Sequence, residues 1–501
     1  MRVSALPHDT LSLRMHSSEH QAVHAKTHSL QTLGWGMFAI LIVAAVFISS
    51  GMPLGIVTIL GGIAAILFAF TYPYAAFGLF VALIPFLGLF VHLPTGSFAI
   101  GERAFGGAID VLVGEVVAMV LMISWGLKVL FLWVRRHDVN WKPWLPLLLP
   151  MSGILLAHLA SVFSSFQPDP VLVLKYTLRP VFWSYLLYVA LTVNFIRSAR
   201  RLRMALGIAA GTGIFMAVLG FLSFGLTDQS GQLLPRARPL PIFGTHALGE
   251  NHNLLAEWLS VTIPFTIALM YMARGRARRL LVVAAIFQTA IALLTFARTV
   301  WIVLLFEAVL LGWFVWREQL KRYASAALIG LLLLLPLGIS MIAFSSTPLV
   351  QSSTSTRLML SEIAFNTWMQ SPWIGAGAGT FVERVGSAAV FVIEYGNPLD
   401  SHGWIQKLLA EVGLLGLAAV AWFVWETGIF VRKTLPRFRA RSSEWNVFVI
   451  LAIGAAGALV YQLFNTNYWT GKLWFPLGIL LASSRALLSR QKRPEADPIH
   501  E

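Results

Sequence analysis

Asp400-Ser401-His402-Gly403-Trp404-Ile405-Gln406-Lys407-Leu408-Leu409-Ala410-Glu411-Val412-Gly413-Leu414-Leu415-Gly416 marks the passage from a long polar segment into an apolar run that continues to about residue 431. The run is longer than the roughly 20 apolar residues a helix needs to cross a bilayer. Similar runs recur on both sides of it, at about 32–50, 54–70, 73–91, 111–134, 143–163, 178–196, 204–224, 253–273, 280–297, 299–316, 324–344, 447–466 and 472–489. With 403–431 they make fourteen candidate spans. The reading is an all-α polytopic integral membrane protein with about 12–14 transmembrane helices.

Composition supports this. Of 501 residues, 57% are hydrophobic and only 12% charged, about half the charged share of a soluble protein. The mean hydropathy is +0.74. The net charge of +15 does not point to nucleic acid, because the basic residues concentrate in short loops between apolar runs. Six such loops hold 23 of the 37 Lys and Arg, among them Arg274, Arg276, Arg278 and Arg279, and Arg432, Lys433, Arg437, Arg439 and Arg441. That asymmetry is the positive-inside pattern and places both termini on the cytoplasmic side. There is no cysteine, which excludes disulfide and thiol chemistry.

The organisation follows from the runs. Residues 1–31 form a polar cytoplasmic tail without the pattern of a secretory signal. Its His16, His20, His24 and His28 fall at helical spacing and are read as part of a solvated tail. Residues 32–344 carry the first eleven spans, with outer loops at 92–110 and 225–252. Residues 345–402 form the largest outer loop, 403–489 the last spans, and 490–501 a cytoplasmic tail. Within the large loop, Arg357 to Gln370 reads as a helix with Leu358, Ile363, Phe365 and Trp368 available for burial. The Gly375–Gly379 run reads as a flexible turn, because no Lys-Ser/Thr follows it.

Two residue types stand out on the outer face. Arginine at the hydrocarbon edge is costly and marks a function or a partner. Arg179 opens a span, Arg298 lies in a tight turn between spans, Arg236 and Arg238 share an outer loop, and Arg357 opens the loop helix. Guanidinium groups hold phosphate oxygens in a bidentate fork, so this set suits a diphosphate at headgroup depth. His402 is the second signal. With Asp400 or Ser401 as the expected N-cap, it falls in the first helical turn, where the positive end of the dipole disfavours imidazolium. A neutral imidazole at pH 7 can take a proton as a general base. No Asp-x-Asp pair, His-Glu-x-x-His site or Gly-x-Ser-x-Gly elbow occurs in the chain, so neither a metal-bridged nucleotide-sugar site nor a serine hydrolase is indicated.

These elements, in order, resemble the O-antigen ligase and polymerase superfamily. His402-Gly403 followed nine residues later by Gly413-Leu414-Leu415-Gly416 is similar to its histidine signature. Arg236-Ala237-Arg238-Pro239-Leu240 resembles its Arg-x-x-x-Leu element. Glu250-Asn251-His252-Asn253-Leu254-Leu255-Ala256 looks like its Asn-x-x-Ala segment, and Leu294-Thr295-Phe296-Ala297-Arg298 its Leu-Thr-x-x-Arg turn. Thr356-Arg357 and Ser371–Gly377 resemble the start and middle of its large loop. The resemblance covers about 205–430. Gly403 departs from the family, which usually has Asn, Ser or Gln there.

The resemblance implies a GT-C-like fold in the bacterial inner membrane, with a large periplasmic loop. It implies an inverting, metal-independent glycosyltransferase without a cofactor. An undecaprenyl-diphosphate-linked glycan would be the donor. The acceptor would be a lipid A core sugar for a ligase, or a second lipid-linked saccharide for a polymerase. Arg236 and Arg298 would bind the diphosphate, with Arg238, Arg179 and Arg357 as further candidates, and His402 would take the acceptor proton. Asp400 is expected to orient the histidine helix. Glu250, Asn253, Gln406 and Glu411 complete the candidate set. A more distant alternative is a flippase of lipid-linked sugars. It would call for charged or broken helices at the bilayer midplane. The span interiors hold few ionisable residues, Glu115, Lys128, Glu307 and Glu426 among them.

Overall fold

The computed structural model describes residues 54–100, 103–134, 143–164, 176–227, 235–242, 244–322, 325, 348–465 and 469–491. The expected span 32–50, nearly all of 324–344, the N-terminal histidines and most of the C-terminal tail lie outside them. Two compact units emerge: residues 1–76 with 123–138, and residues 77–122 with 139–501.

In the first unit, α1 (Leu54–Thr71) is a run of Leu, Ile, Ala and Gly with no charge to interrupt it. The Lys128 ammonium, also of this unit, stands 5.8 Å over the Phe70 ring. α1 is followed after Tyr72 by α2 (Pro73–Leu83) with a sharp bend between them. Pro73 has no N–H to continue the ladder, so the two expected spans 54–70 and 73–91 count together as at most one.

The second unit, which takes in α2 from Phe77, has a β-hairpin in place of the plain loop expected at 92–110. β1 (Phe90–Ile100) pairs antiparallel with β2 (Arg103–Leu112), in a register running from Phe90 opposite Leu112 to Ile100 opposite Arg103. The sequence carried the signal: two runs with strand-forming residues, parted by Gly101-Glu102. The helices follow: α3 (Val113–Val134), whose residues from Ile123 belong to the first unit, α4 (Leu148–Ala160), the π-wound α5 (Pro180–Ala190) continuing into α6 (Leu191–Phe195), and α7 (Ala199–Leu226). Then come α8 (His252–Met272), α9 (Gly275–Leu294), α10 (Arg298–Phe314) and the short α11 (Arg317–Arg322). The loop region contributes α12 (Pro348–Gln370), α13 (Phe381–Ser387) and α14 (Ala389–Tyr395). The chain closes with α15 (Trp404–Thr434), α16 (Ser443–Gln462) and α17 (Gly471–Gln491).

Among the described residues, six helices are long and apolar enough to cross a membrane, and seven if the bent α1–α2 pair is one span. The protein is an all-α, multi-pass membrane protein with one hairpin. Several expected spans are shorter than the sequence suggested: α4 has 13 residues and α10 has 17.

α8 is the hub of the second unit, buried along almost its whole length, with Trp258 and Phe265 fully enclosed. Small residues let its neighbours approach, as small residues do between membrane helices. Gly213 of α7 lies against Thr262, and a Cβ at Gly454 of α16 would stand 2.7 Å from Pro264. In the loop region, Leu360, Ala364, Phe381, Val385 and Phe391 form a small core with Ala410 of α15. Leu358 and Phe365, expected to be buried, point outward at 68% and 55% exposure. The buried stripe of α12 is shifted to Leu360, Ile363 and Ala364, which face α13 and α15.

Candidate functional site

The turn that carries His402 is fixed by its own polar groups. The Asp400 Oδ1 accepts the Ser401 N–H at 2.8 Å. The Ser401 hydroxyl donates to the Gly403 carbonyl at 2.9 Å and accepts the Gly403 N–H at 3.3 Å. α15 therefore starts at Trp404 with Gly403 as its N-cap, and no side chain caps it. This corrects the expectation that Asp400 or Ser401 caps the helix and that His402 lies in its first turn. Ser401 is engaged within the turn, and Asp400 is held by Lys407. The Lys407 Nζ donates to Asp400 Oδ2 at 2.6 Å and Oδ1 at 2.8 Å, and stands 4.0 Å from Glu411 Oε1.

α15 is broken at Gly413, whose φ of 69° and ψ of −161° leave the helix. The Gly-rich segment read as a flexible turn fills the break. Ala376 and Gly377 donate their N–H to the carbonyls of Ala410 and Glu411, at 2.8 and 2.9 Å. Leu414 and Leu415 in turn donate to Pro372 and Trp373, at 2.9 and 3.1 Å. Backbone groups freed by the kink are thus paired, as burial requires. Glycine is needed at Gly375 and Gly413, where backbone meets backbone and φ is positive. Glu411, buried against this strap, accepts the Phe381 N–H at 3.2 Å.

His402 is exposed, between buried Ser401 and Gly403. Its pKa is lowered from the ordinary histidine value, first by desolvation in the crowded turn and then by the positive charge of Arg357, with Asp400 opposing. Arg357 is itself lowered by burial and then by Arg298, and its Nε is buried without a hydrogen-bond partner. Arg357 is therefore the charge common to both: it acts on His402 and feels Arg298. Arg298 is delivered there by the turn Thr295-Phe296-Ala297, with Phe296 at a φ of 55° and the Ala297 N–H bound to the Thr295 hydroxyl at 3.3 Å.

A second basic group forms on the loop before α8. Arg236 Nη1 lies 3.4 Å from His252 Nε2. Burial and then Arg238 lower the Arg236 pKa. The loop is held by the Ala237 N–H on the Leu294 carbonyl at 2.9 Å and the Arg238 N–H on the Ser223 hydroxyl at 3.0 Å. Leu294 ends α9, four residues before Arg298.

The remaining candidates take other places. Arg179 lies over the Tyr176 ring at 5.3 Å, on the side of the buried Glu115–Tyr188 pair. Glu250 is exposed and pairs loosely with His246 at 3.8 Å. Asn253 contributes backbone: its carbonyl accepts the Tyr461 hydroxyl at 2.8 Å. The Gln406 side chain occupies the space a Cβ at Gly403 would need, and its Oε1 is buried without a partner.

Sequence reading missed His252, Lys407 as the partner of Glu411, and the Lys472–Glu257 pair. His252 sat inside the quoted Glu-Asn-His-Asn run. Lys407 and Glu411 are an i, i+4 pair of opposite charges at the mouth of a membrane helix, a pattern that is costly unless used. Lys472 and Glu257 form a fully buried ion pair at 3.2 Å, and Gln462 donates to the other Glu257 oxygen at 2.7 Å. Lys472 follows its partner by 215 residues, no recognisable spacing, so only the fold reveals it. Beside the site, Trp404, Phe423, Leu459, Trp469 and Trp474 line an apolar cavity of about 350 Å³. Among the described residues no three His, Asp or Glu side chains are grouped to hold a metal.

Residues 280–421 match the family described as O-Antigen ligase, in line with the resemblance to that superfamily. The match contains Arg298, Arg357, Asp400, His402, Lys407 and Glu411. It does not reach Arg179, Arg236, Arg238, Glu250 or Asn253. No curated protein matches the chain.

Proposed function

We propose that this chain transfers a glycan from an undecaprenyl-diphosphate donor to an acceptor sugar hydroxyl on the periplasmic face of the bacterial inner membrane. The observation that supports the reading is the link from His402 through Arg357 to Arg298. A histidine whose pKa is lowered faces the Arg357 guanidinium, which in turn feels Arg298. The acceptor oxygen attacks the anomeric carbon, with inversion, as the bond to the diphosphate breaks. His402 takes the hydroxyl proton. Arg298 and Arg357, with Arg236 and Arg238 from the neighbouring loop, stabilise the charge that develops on the leaving lipid diphosphate. The activated donor supplies the driving force, so no ATP and no metal enter the scheme. The apolar cavity beside Trp404 gives the bilayer-embedded part of a lipid-linked substrate a place next to this chemistry. Orientation rests on the positive-inside reading of the basic loops, which puts the His402 turn on the other side. A lipid A core acceptor makes the enzyme a ligase and a second lipid-linked saccharide makes it a polymerase; the same site serves both.

Donor binding tests this. Undecaprenyl diphosphate should bind the purified protein in nanodiscs. Arg298→Ala and Arg357→Ala should each weaken it about 10- to 100-fold, the worth of one or two charged hydrogen bonds. Unchanged affinity in both variants would overturn the assignment.

A further inference from the structure

We infer that Lys407 is a positioning residue for His402: its ammonium neutralises Asp400 and pins the turn, so that the imidazole faces arginines and not a free carboxylate. The inference rests on the reading of His402 as the base and names a residue which that reading does not use.

The geometry is specific. Lys407 grips both oxygens of Asp400, at 2.6 and 2.8 Å, with its own side chain only 7% exposed. Asp400 lies two residues before His402, and its side chain accepts the Ser401 N–H inside the turn. On its other side Lys407 faces Glu411, at 4.0 Å, which is bound to the start of α13. One ammonium thus joins the His402 turn, the first turns of α15 and the strap behind them. The charged groups around His402 are Arg357 from α12, with Arg298 of α10 behind it, and Asp400 from its own turn. Lys407 and Glu411 of α15 lie beyond Asp400. Without Lys407, Asp400 stands uncompensated beside the imidazole and stabilises its protonated form.

The test reads His402 directly, without catalysis. Diethylpyrocarbonate modifies neutral imidazole, and peptide mass spectrometry follows His402 alone as pH is varied in membranes holding the full chain. Lys407→Met should raise the midpoint by about half to one pH unit, slowing modification near pH 6 by about 3- to 10-fold. Lys407→Arg should keep the wild-type midpoint. In the Asp400→Asn background, removal of Lys407 should shift the midpoint by less than about 0.3 unit, because Asp400 carries the effect. A shift of equal size in both backgrounds, or none in either, overturns the proposal. If Lys407→Met does not accumulate in membranes, Lys407→Gln against Asp400→Asn/Lys407→Gln supplies the same comparison. Failure of His402 as the base shows separately, as transfer activity retained in His402→Ala.

Discussion

At the residue scale, the chemistry turns on how one imidazole is kept neutral. The sequence placed His402 in a helical first turn, where the helix dipole and nearby arginines both disfavour imidazolium. The structure puts it just before the N-cap, with its pKa lowered first by desolvation and then by Arg357. The arginine contribution is testable. A base is active only when deprotonated, and a lowered pKa keeps His402 deprotonated to lower pH. The acid limb of the transfer rate should therefore fall with a midpoint below the ordinary histidine value of about 6.5. Arg357→Ala removes a repelling charge, so the midpoint should rise; a pH–rate profile of single-turnover transfer checks the sign. Glu250 was legible as polar and near a motif; it is exposed and stands 3.8 Å from His246. Nothing in a local spacing rule distinguishes Glu250 from Arg236; only the fold of the loop onto Leu294 and Ser223 does.

At the element scale, the apolar runs were readable because a 20-residue requirement is coarse and composition satisfies it repeatedly. What escaped were devices made of backbone. The Gly375–Gly379 strap and the Gly413 break are complementary, and neither has a signal on its own, since each supplies the other's hydrogen-bond partners. Gly413→Ala forces a side chain into a positive-φ position against the Trp373 carbonyl. It should cost about 1–3 kcal/mol or more and lower the melting temperature in detergent by several degrees. Gly428, which lies in the same helix with open space around it, should tolerate alanine and serve as the control. A melting temperature unchanged by Gly413→Ala would mean that the strap does not hold the break.

At the scale of the whole molecule, one polar network under the site links three helices. Glu257 of α8, Gln462 of α16 and Lys472 of α17 are each no more than 1% exposed. Tyr461 ties the same region to the Asn253 carbonyl at the start of α8. Burial of an isolated charge is costly, whereas replacing both partners leaves little debt. Lys472→Met alone should destabilise the protein by about 3–5 kcal/mol, and Glu257→Gln/Lys472→Met by much less. Thermal unfolding of the purified variants reads the difference. No composition or periodicity argument reveals this pair, because its members are 215 residues apart in the chain. The multi-pass class, the basic loops and the order of the motifs were legible from the sequence, since each depends on local composition. The link from His402 through Arg357 to Arg298 was foreshadowed only by motif order and belongs to the fold.

The most direct measurement is single-turnover transfer in proteoliposomes from an undecaprenyl-diphosphate-linked saccharide to a defined acceptor, with donor binding measured on the same preparations. His402→Ala should bind donor with wild-type affinity and form product at least a hundred-fold more slowly, about the least a lost general base removes. Product formed at the wild-type rate by His402→Ala would contradict the account.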